Sequence, residues 1–317
     1  MMHFKTIGDL IHCLELSEAD KKDLRIDYKN DFACKVPKHF VQQIQPKHPK
    51  DPLLLQVLPR KLENQKAFGF SQDPVGDLNA NPTPALLHKY QGRALLMISP
   101  RCDIHCRYCF RRHFPYENQI HQRHWQTALK QIADDSSLHE IIFSGGDPMT
   151  LSEPQLVAIS QKIEAIPHVQ TLRIHSRTPI VAPDQAPQKG WLNFCQHSRL
   201  KVVLVVHCNH AQELSEHTEK TLIKYRQAGV TLLNQSVLLK DINDCAETLV
   251  QLSHALFQQG VLPYYLHQLD KVEGAVHFEV SDAKAVAIME QLRQQLPGYL
   301  VPKLVREVAG HPYKQPV

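Results

Sequence analysis

Nowhere in this 317-residue chain do about 18 apolar residues run uninterrupted, as a membrane-spanning helix requires. The opening stretch, Met1-Met2-His3-Phe4-Lys5, lacks the apolar core of a secretory signal, so a cytoplasmic location is expected. No G-x-G-x-x-G and no P-loop occurs, which leaves a nucleotide-binding fold little support. Twenty histidines are scattered, not grouped in metal-ligand spacing. A net charge of +4 permits anionic ligands such as phosphates and carboxylates without demanding nucleic acid. With 43% hydrophobic and 21% charged residues, the chain has the balance of a globular protein able to bury one large core.

What the chain does have is a crowded loop, Arg101-Cys102-Asp103-Ile104-His105-Cys106-Arg107-Tyr108-Cys109-Phe110-Arg111-Arg112, behind the apolar run 94–99. Three thiolates this close can hold three corners of an iron–sulfur cube and leave the fourth iron open to a ligand. A zinc knuckle would want a second Cys pair, which is missing, although His105 and His113 lie near. Disulfides do not suit a chain without an export signal. Cys13, Cys34, Cys195, Cys208 and Cys245 have no ligand spacing and read as small core residues.

Residues 1–87 show no strand–helix alternation. Helices are expected over 7–16, from Ser17 onward, and after Val36-Pro37; then Pro46, Pro49, Pro52, Pro59, Pro74, Pro82 and Pro84 forbid long regular elements. This predicts an N-terminal helical segment and a Pro-rich arm. Over 88–298 strands alternate with helices, with strands expected at 94–99, 140–144, 171–176, 201–207, 231–238 and 262–268. The run 201–206 is apolar on both faces, as a covered parallel strand should be. Leu249, Leu252 and Leu256 mark one face of a helix stopped by Gly260; Ala285, Ile288, Met289, Leu292 and Leu296 mark another, closed by Pro297-Gly298. Six βα units make an α/β fold, a partial (β/α)6 barrel too short to close, with chemistry at the carboxyl ends of its strands. Residues 299–317 form a C-terminal segment.

The second strand ends in Ser144-Gly145-Gly146-Asp147-Pro148, which by itself is equally an ordinary tight turn. Together with the Cys-x3-Cys-x2-Cys loop, however, it resembles the radical S-adenosylmethionine (SAM) enzymes, whose open iron chelates SAM and whose glycine-pair motif binds the SAM amino group. Tyr90-x-x-Arg93, Cys106-Arg-Tyr-Cys-Phe-Arg-Arg, Asn234-Gln235-Ser236-Val237-Leu238-Leu239 and Pro263-Tyr264-Tyr265-Leu266 narrow the likeness. In order and spacing they resemble the lysine 2,3-aminomutase family from about residue 86 to the end. Within it the chain looks most like the short members that make β-lysine for elongation factor P. The long catabolic members carry a C-terminal extension, whereas this chain stops three residues past Lys314.

The resemblance implies a [4Fe-4S] cluster on Cys102, Cys106 and Cys109, with SAM and pyridoxal phosphate (PLP) as further cofactors. Ser144, Gly145, Gly146, Asp147, His207 and Gln235 would line the SAM pocket, although a lone strand-end histidine is often structural. Lys314 matches the PLP lysine, despite a position near the terminus where lysines are usually solvated. Lys89 and Arg93 would bind the PLP phosphate and Tyr90 pack on its ring; a basic surface patch is the plainer alternative. Arg111 would pair with the substrate α-carboxylate. Asp270 and Glu307 would receive the lysine ε-ammonium, Glu307 standing where long members have Asp, unless it is merely a solvated neighbour of Arg306. The activity implied is conversion of L-lysine to β-lysine. A pathway link would run to a β-lysine ligase and elongation factor P, with an electron donor such as a flavodoxin and no membrane or direct nucleic-acid partner. Two rivals remain open: the same machinery acting on another amino acid, and a metal-stapled binding module using Arg101, Arg107, Arg111 and Arg112 against RNA or an acidic partner.

Overall fold

The computed structural model describes residues 3–120 and 122–317; Met1 and Met2 of the opening stretch lie outside them. Two short strands, β1 (His3–Phe4) and β2 (Val36–Pro37), pair antiparallel and tie the first helices together. The first helix, Ile7–Cys13, stops short of the expected 16 because the chain turns at Glu15, where φ is +53. Ser17 caps the next, Glu18–Asp23, in a capping box with Asp20. Pro37 precedes the turn Lys38–Val41, and Pro52 opens the six-residue helix Pro52–Val57, where a missing N–H costs nothing.

The main sheet runs β3 (Leu86–Tyr90), β4 (Arg93–Ser99), β5 (Glu140–Gly145), β6 (Thr171–Ser176), β7 (Lys201–His207), β8 (Thr231–Val237), β9 (Leu262–His267), β10 (Lys303–Arg306) and β11 (Gln315–Pro316), each beside its sequence neighbour. From β4 to β10 all pairings are parallel; β3 and β11 pair antiparallel at the two edges. Sequential order with helical crossovers and unpaired edges is a partial, unclosed barrel. The six expected strands are present within a residue or so of their predicted bounds. β10 adds a seventh parallel strand that the periodicity did not announce, in register with β9 through Leu304 and Leu266.

Helices Glu153–Glu164, Lys189–His197, Glu216–Gln227, Ala246–Gln258 and Asp282–Gln295 cover the sheet. Ala246–Gln258 buries Leu249, Leu252 and Leu256 and ends before Gly260, whose φ of +76 reverses the chain. Asp282–Gln295 buries Ala285, Ile288, Met289 and Leu292. One apolar cluster joins Leu10, Leu53 and Leu58 of the N-terminal segment to Leu96, Phe143, Leu172 and Leu204 of the sheet. Among the described residues no helix is long and apolar enough to cross a membrane. The expectation for the five dispersed cysteines needs correction at two: Cys34, Cys195 and Cys208 are buried, but Cys13 and Cys245 are exposed. Both exposed thiols sit at helix ends, one closing Ile7–Cys13 and one preceding Ala246, where the side chain points off the packed face.

Candidate active site

The cysteine loop leaves β4 at the carboxyl end of the sheet and is braced by the N-terminal segment beneath it. Lys35 Nζ donates to the Cys102 carbonyl at 2.5 Å, and the His105 and Arg107 amides donate to the carbonyls of Lys35 and Gln56. Fully buried Arg107 forms a two-pronged pair with Glu63, at 2.8 and 2.6 Å, and Arg112 reaches the same carboxylate at 2.8 Å. Three of the four arginines in the proposed RNA-facing stripe are therefore consumed inside the protein, since Arg111 is also buried. A basic contact surface is not built here.

The three cysteines are free. Burial pushes the Cys109 thiol up to about 11, with Cys106 adding to the effect. Burial raises Cys102 well above its ordinary value too, reinforced by Cys109, Asp147 and Cys106. Thiols raised in this way lose their protons when a cationic metal centre binds the thiolates. Among the described residues no three His, Cys, Asp or Glu side chains close on one point tightly enough for a single metal ion. Three thiolates with a fourth corner left open are the donor set of a cluster, where a closed zinc site wants a fourth protein ligand.

Gly145 and Gly146 seat this loop. A Cβ on Gly145, whose φ is +126, would lie 2.5 Å from the Ser99 carbonyl oxygen, and one on Gly146 would lie 2.5 Å from that of Arg101. The Gly146 and Asp147 amides donate to those same carbonyls. Asp147 is buried and its carboxylate accepts from the Met149 amide, Ser176 Oγ and the Arg177 and Thr178 amides. Both its oxygens serve protein donors, knotting the ends of β5 and β6 together. Burial still leaves its carboxyl raised above the ordinary value.

A second group of charges gathers at the same end of the barrel. Asp77, from the Pro-rich arm, bridges Lys89 at 2.6 Å and Arg111 at 2.7 Å. Arg111 also donates to Ser144 Oγ at 3.1 Å. Burial opposes ionisation of Asp77, yet Arg111 and Lys89 together hold its carboxyl below the ordinary range. Glu307, just past β10, accepts from Tyr90 Oη and Lys314 Nζ, each at 2.5 Å, and lies 3.6 Å from Lys89. Lys314 reaches that spot because β11 folds back on β10, Gln315 opposite Arg306 and Pro316 opposite Val305. Arg93 stacks over the Tyr90 ring at 4.6 Å.

Asp270 lies within the field of Lys314, Glu307, Asp77 and Lys89, and its side chain takes no hydrogen bond or ion pair from a described residue. Burial pushes its carboxyl up to about 7. His267 and His175 are held neutral, their values pushed down by burial first and by Lys314 among other cations. Beside the cysteines, His207 Nε2 meets Tyr108 Oη at 2.9 Å, and Gln235 pairs in register with His207 across β7 and β8. A cavity of ≈ 70 Å³ opens among Gln72, Asp77, Phe110, Arg111 and His113.

Sequence reasoning passed over Asp77 and Arg177. Asp77 sits in Asp73-Pro74-Val75-Gly76-Asp77, which reads as a turn in a connecting arm. Arg177 follows β6 directly, and the strand-end rule could have singled it out.

Residues 91–177, which contain all three loop cysteines, match the family described as "4Fe-4S single cluster domain". The L-lysine 2,3-aminomutase of Escherichia coli (strain K12) is 48% identical over 310 residues, covering 98% of this chain and 90% of its own. Its counterpart in Haemophilus influenzae is 46% identical over 96% of this chain and 90% of its own. The chain belongs to the lysine 2,3-aminomutase family. Another L-lysine 2,3-aminomutase, from Clostridium subterminale, is 34% identical over 99% of this chain and 75% of its own length. As a member of an isomerase family with a cluster-binding segment, the chain carries its cysteine loop and its charge group at one end of one barrel.

Proposed function

We propose that this chain is a cytoplasmic, radical SAM and PLP-dependent L-lysine 2,3-aminomutase that makes β-lysine. The observation that carries the reading is Asp270: a half-buried carboxylate with no hydrogen bond or ion pair among the described residues, within the field of Lys314 and Glu307. When bound, the cluster with SAM supplies a carbon radical that can take hydrogen, and PLP supplies an aldehyde that carries the substrate amine. The remaining work belongs to the chain's own side chains.

Cys102, Cys106 and Cys109 would hold the cluster, and the backbone of Ser144, Gly145, Gly146 and Asp147 with His207 and Gln235 would shape the SAM pocket. Lys89 and Arg93 suit a phosphate, and the Tyr90 ring, fixed by its hydroxyl on Glu307, offers a flat face. Arg111, anchored through Nε on Asp77, would present its guanidinium to the α-carboxylate. Asp270 and Glu307 would hold the ε-ammonium at the other end, which fixes the reach of the substrate and rejects an acidic or shorter side chain. Lys314 would carry PLP. Its Nζ donates to Glu307 Oε2, and an amine engaged by PLP would leave that carboxylate to the substrate ammonium.

Borohydride reduction of the PLP-loaded protein, followed by peptide mapping, should place the pyridoxyl group on Lys314. Its appearance on another lysine would remove Lys314 from the site. The finer reading, that the product passes to a β-lysine ligase acting on elongation factor P and that a flavodoxin supplies the electron, is supported by likeness to the short members of the family.

A further inference from the structure

The sequence reading gave Arg177 no role, and the roles proposed above do not use it. Its guanidinium nevertheless reaches a sulfur of the cysteine loop. Its Nη1 donates to Cys106 Sγ at 2.7 Å and to Tyr108 Oη at 2.7 Å. Its Nη2 donates to Gln56 Oε1 and to Glu213 Oε2, each at 2.8 Å, while Nε is buried without a partner. The guanidinium is thus clamped from two sides, sulfur and phenol on one and carboxylate and amide on the other. Glu213 is itself fixed by the Asn209 and His210 amides and by Gln56 Nε2. Gln56 belongs to the N-terminal segment, Glu213 to the turn after β7 and Arg177 to the end of β6. Three parts of the chain converge to place one positive charge on one cysteine sulfur.

A buried Arg–Glu pair contributes little net stability when apolar side chains could fill the space, so burial alone does not account for the arrangement. Its electrostatics do something specific. Hydrogen bonds to cluster sulfurs and local net charge are levers that set an iron–sulfur reduction potential. An added electron makes the sulfur more negative and strengthens its bond from Arg177, whereas Glu213 opposes the electron from the far side of the same guanidinium. We infer that Arg177 is a positioning residue that tunes the cluster: through Cys106 it raises the reduction potential, and Glu213 holds that effect in check. The inference rests on the cluster reading of the three cysteines and is independent of the identity of the amino-acid substrate.

The test is potentiometry of the reconstituted protein, reducing the cluster by one electron with a strong chemical reductant and reading its paramagnetic signal. Arg177→Gln should lower the midpoint by at least a tenfold shift in the reduction equilibrium, which is about 59 mV for one electron. Arg177→Lys, which keeps the charge, should recover part of it. Glu213→Gln should move the potential the opposite way, upward, a sign that mere loosening of the pocket would not produce. Iron content and the spectrum of each variant establish that the cluster is present. Three intact clusters at the wild-type potential would overturn the inference. If the variants take up no iron, wild-type protein carrying guanidino-15N arginine decides: a 15N coupling to the reduced cluster supports the contact, and its absence refutes it. A wild-type protein that binds no iron would remove the cluster reading and this inference together.

Discussion

At the scale of single residues, Asp270 is a carboxylate whose environment opposes its charge. Burial lifts its carboxyl from an ordinary 3.8 to about 7. A raised carboxyl value means that the folded state prefers the proton. Its contribution to stability is therefore complete below 3.8 and lost as pH rises through about 7. Asp270→Asn removes that loss, so thermal denaturation at pH 8.5 should show the ligand-free variant more stable than wild type by roughly 1–3 kcal/mol, with the gap shrinking toward pH 5. Binding should change in the other direction. L-lysine affinity of the wild type should rise as pH passes through about 7, because only the ionised carboxylate receives an ammonium, and titration calorimetry should show the variant flat and weaker by about 2–5 kcal/mol. A variant that keeps both affinity and pH profile would place the ammonium elsewhere. Asp270 was singled out through the family resemblance around His267-Gln268-Leu269-Asp270; Asp77 was passed over, because its meaning lies in Lys89 and Arg111, which only the folded chain brings to it.

At the scale of elements, the turn after β5 is a platform on which the cysteine loop rests. A methyl at Gly146 would meet the backbone oxygen and carbon of Arg101 at 2.5 and 2.8 Å, and backbone cannot swing aside as a flexible side chain can. Gly146→Ala should cost about 1–3 kcal/mol and reduce iron uptake on reconstitution, measured by chemical denaturation and metal analysis. Gly298→Ala, with nothing within 4 Å of the added carbon, should change neither. The strand at 201–207 and the helix faces of 246–258 and 282–295 were readable because their signals are local: an apolar run, a repeating stripe, a stop. β10 and β11 were not readable. Four residues and two residues carry no period, and their strand character comes entirely from β9 and from each other. That distinction matters for the site, since β11 is what brings Lys314 back from the terminus.

At the scale of the whole molecule, the N-terminal segment is a structural half of the site. Glu63 neutralises both Arg107 and Arg112, and Gln56 touches Tyr108 and Arg177, so the segment reaches the cysteine loop from below. Glu63→Gln would leave two buried guanidinium groups short of a counter-ion, and denaturant unfolding should show a loss of about 3–5 kcal/mol together with poorer cluster retention. Unchanged stability would mean that the segment and the barrel are energetically separate. The Pro-rich composition of this region announced short, irregular pieces, but not that they carry Gln56, Glu63 and Asp77 to the loop, because irregular backbone gives no periodic clue to where its side chains go. Anaerobic turnover calls on the cysteine loop, the charge group and the N-terminal segment in one reaction. Protein reconstituted with iron, sulfide and PLP is given SAM, L-lysine and a strong reductant, and chiral separation with mass spectrometry follows the product. β-Lysine should accumulate; protein with a demonstrated cluster that forms no β-lysine, while cleaving SAM to 5'-deoxyadenosine, would contradict the assignment of lysine to this site.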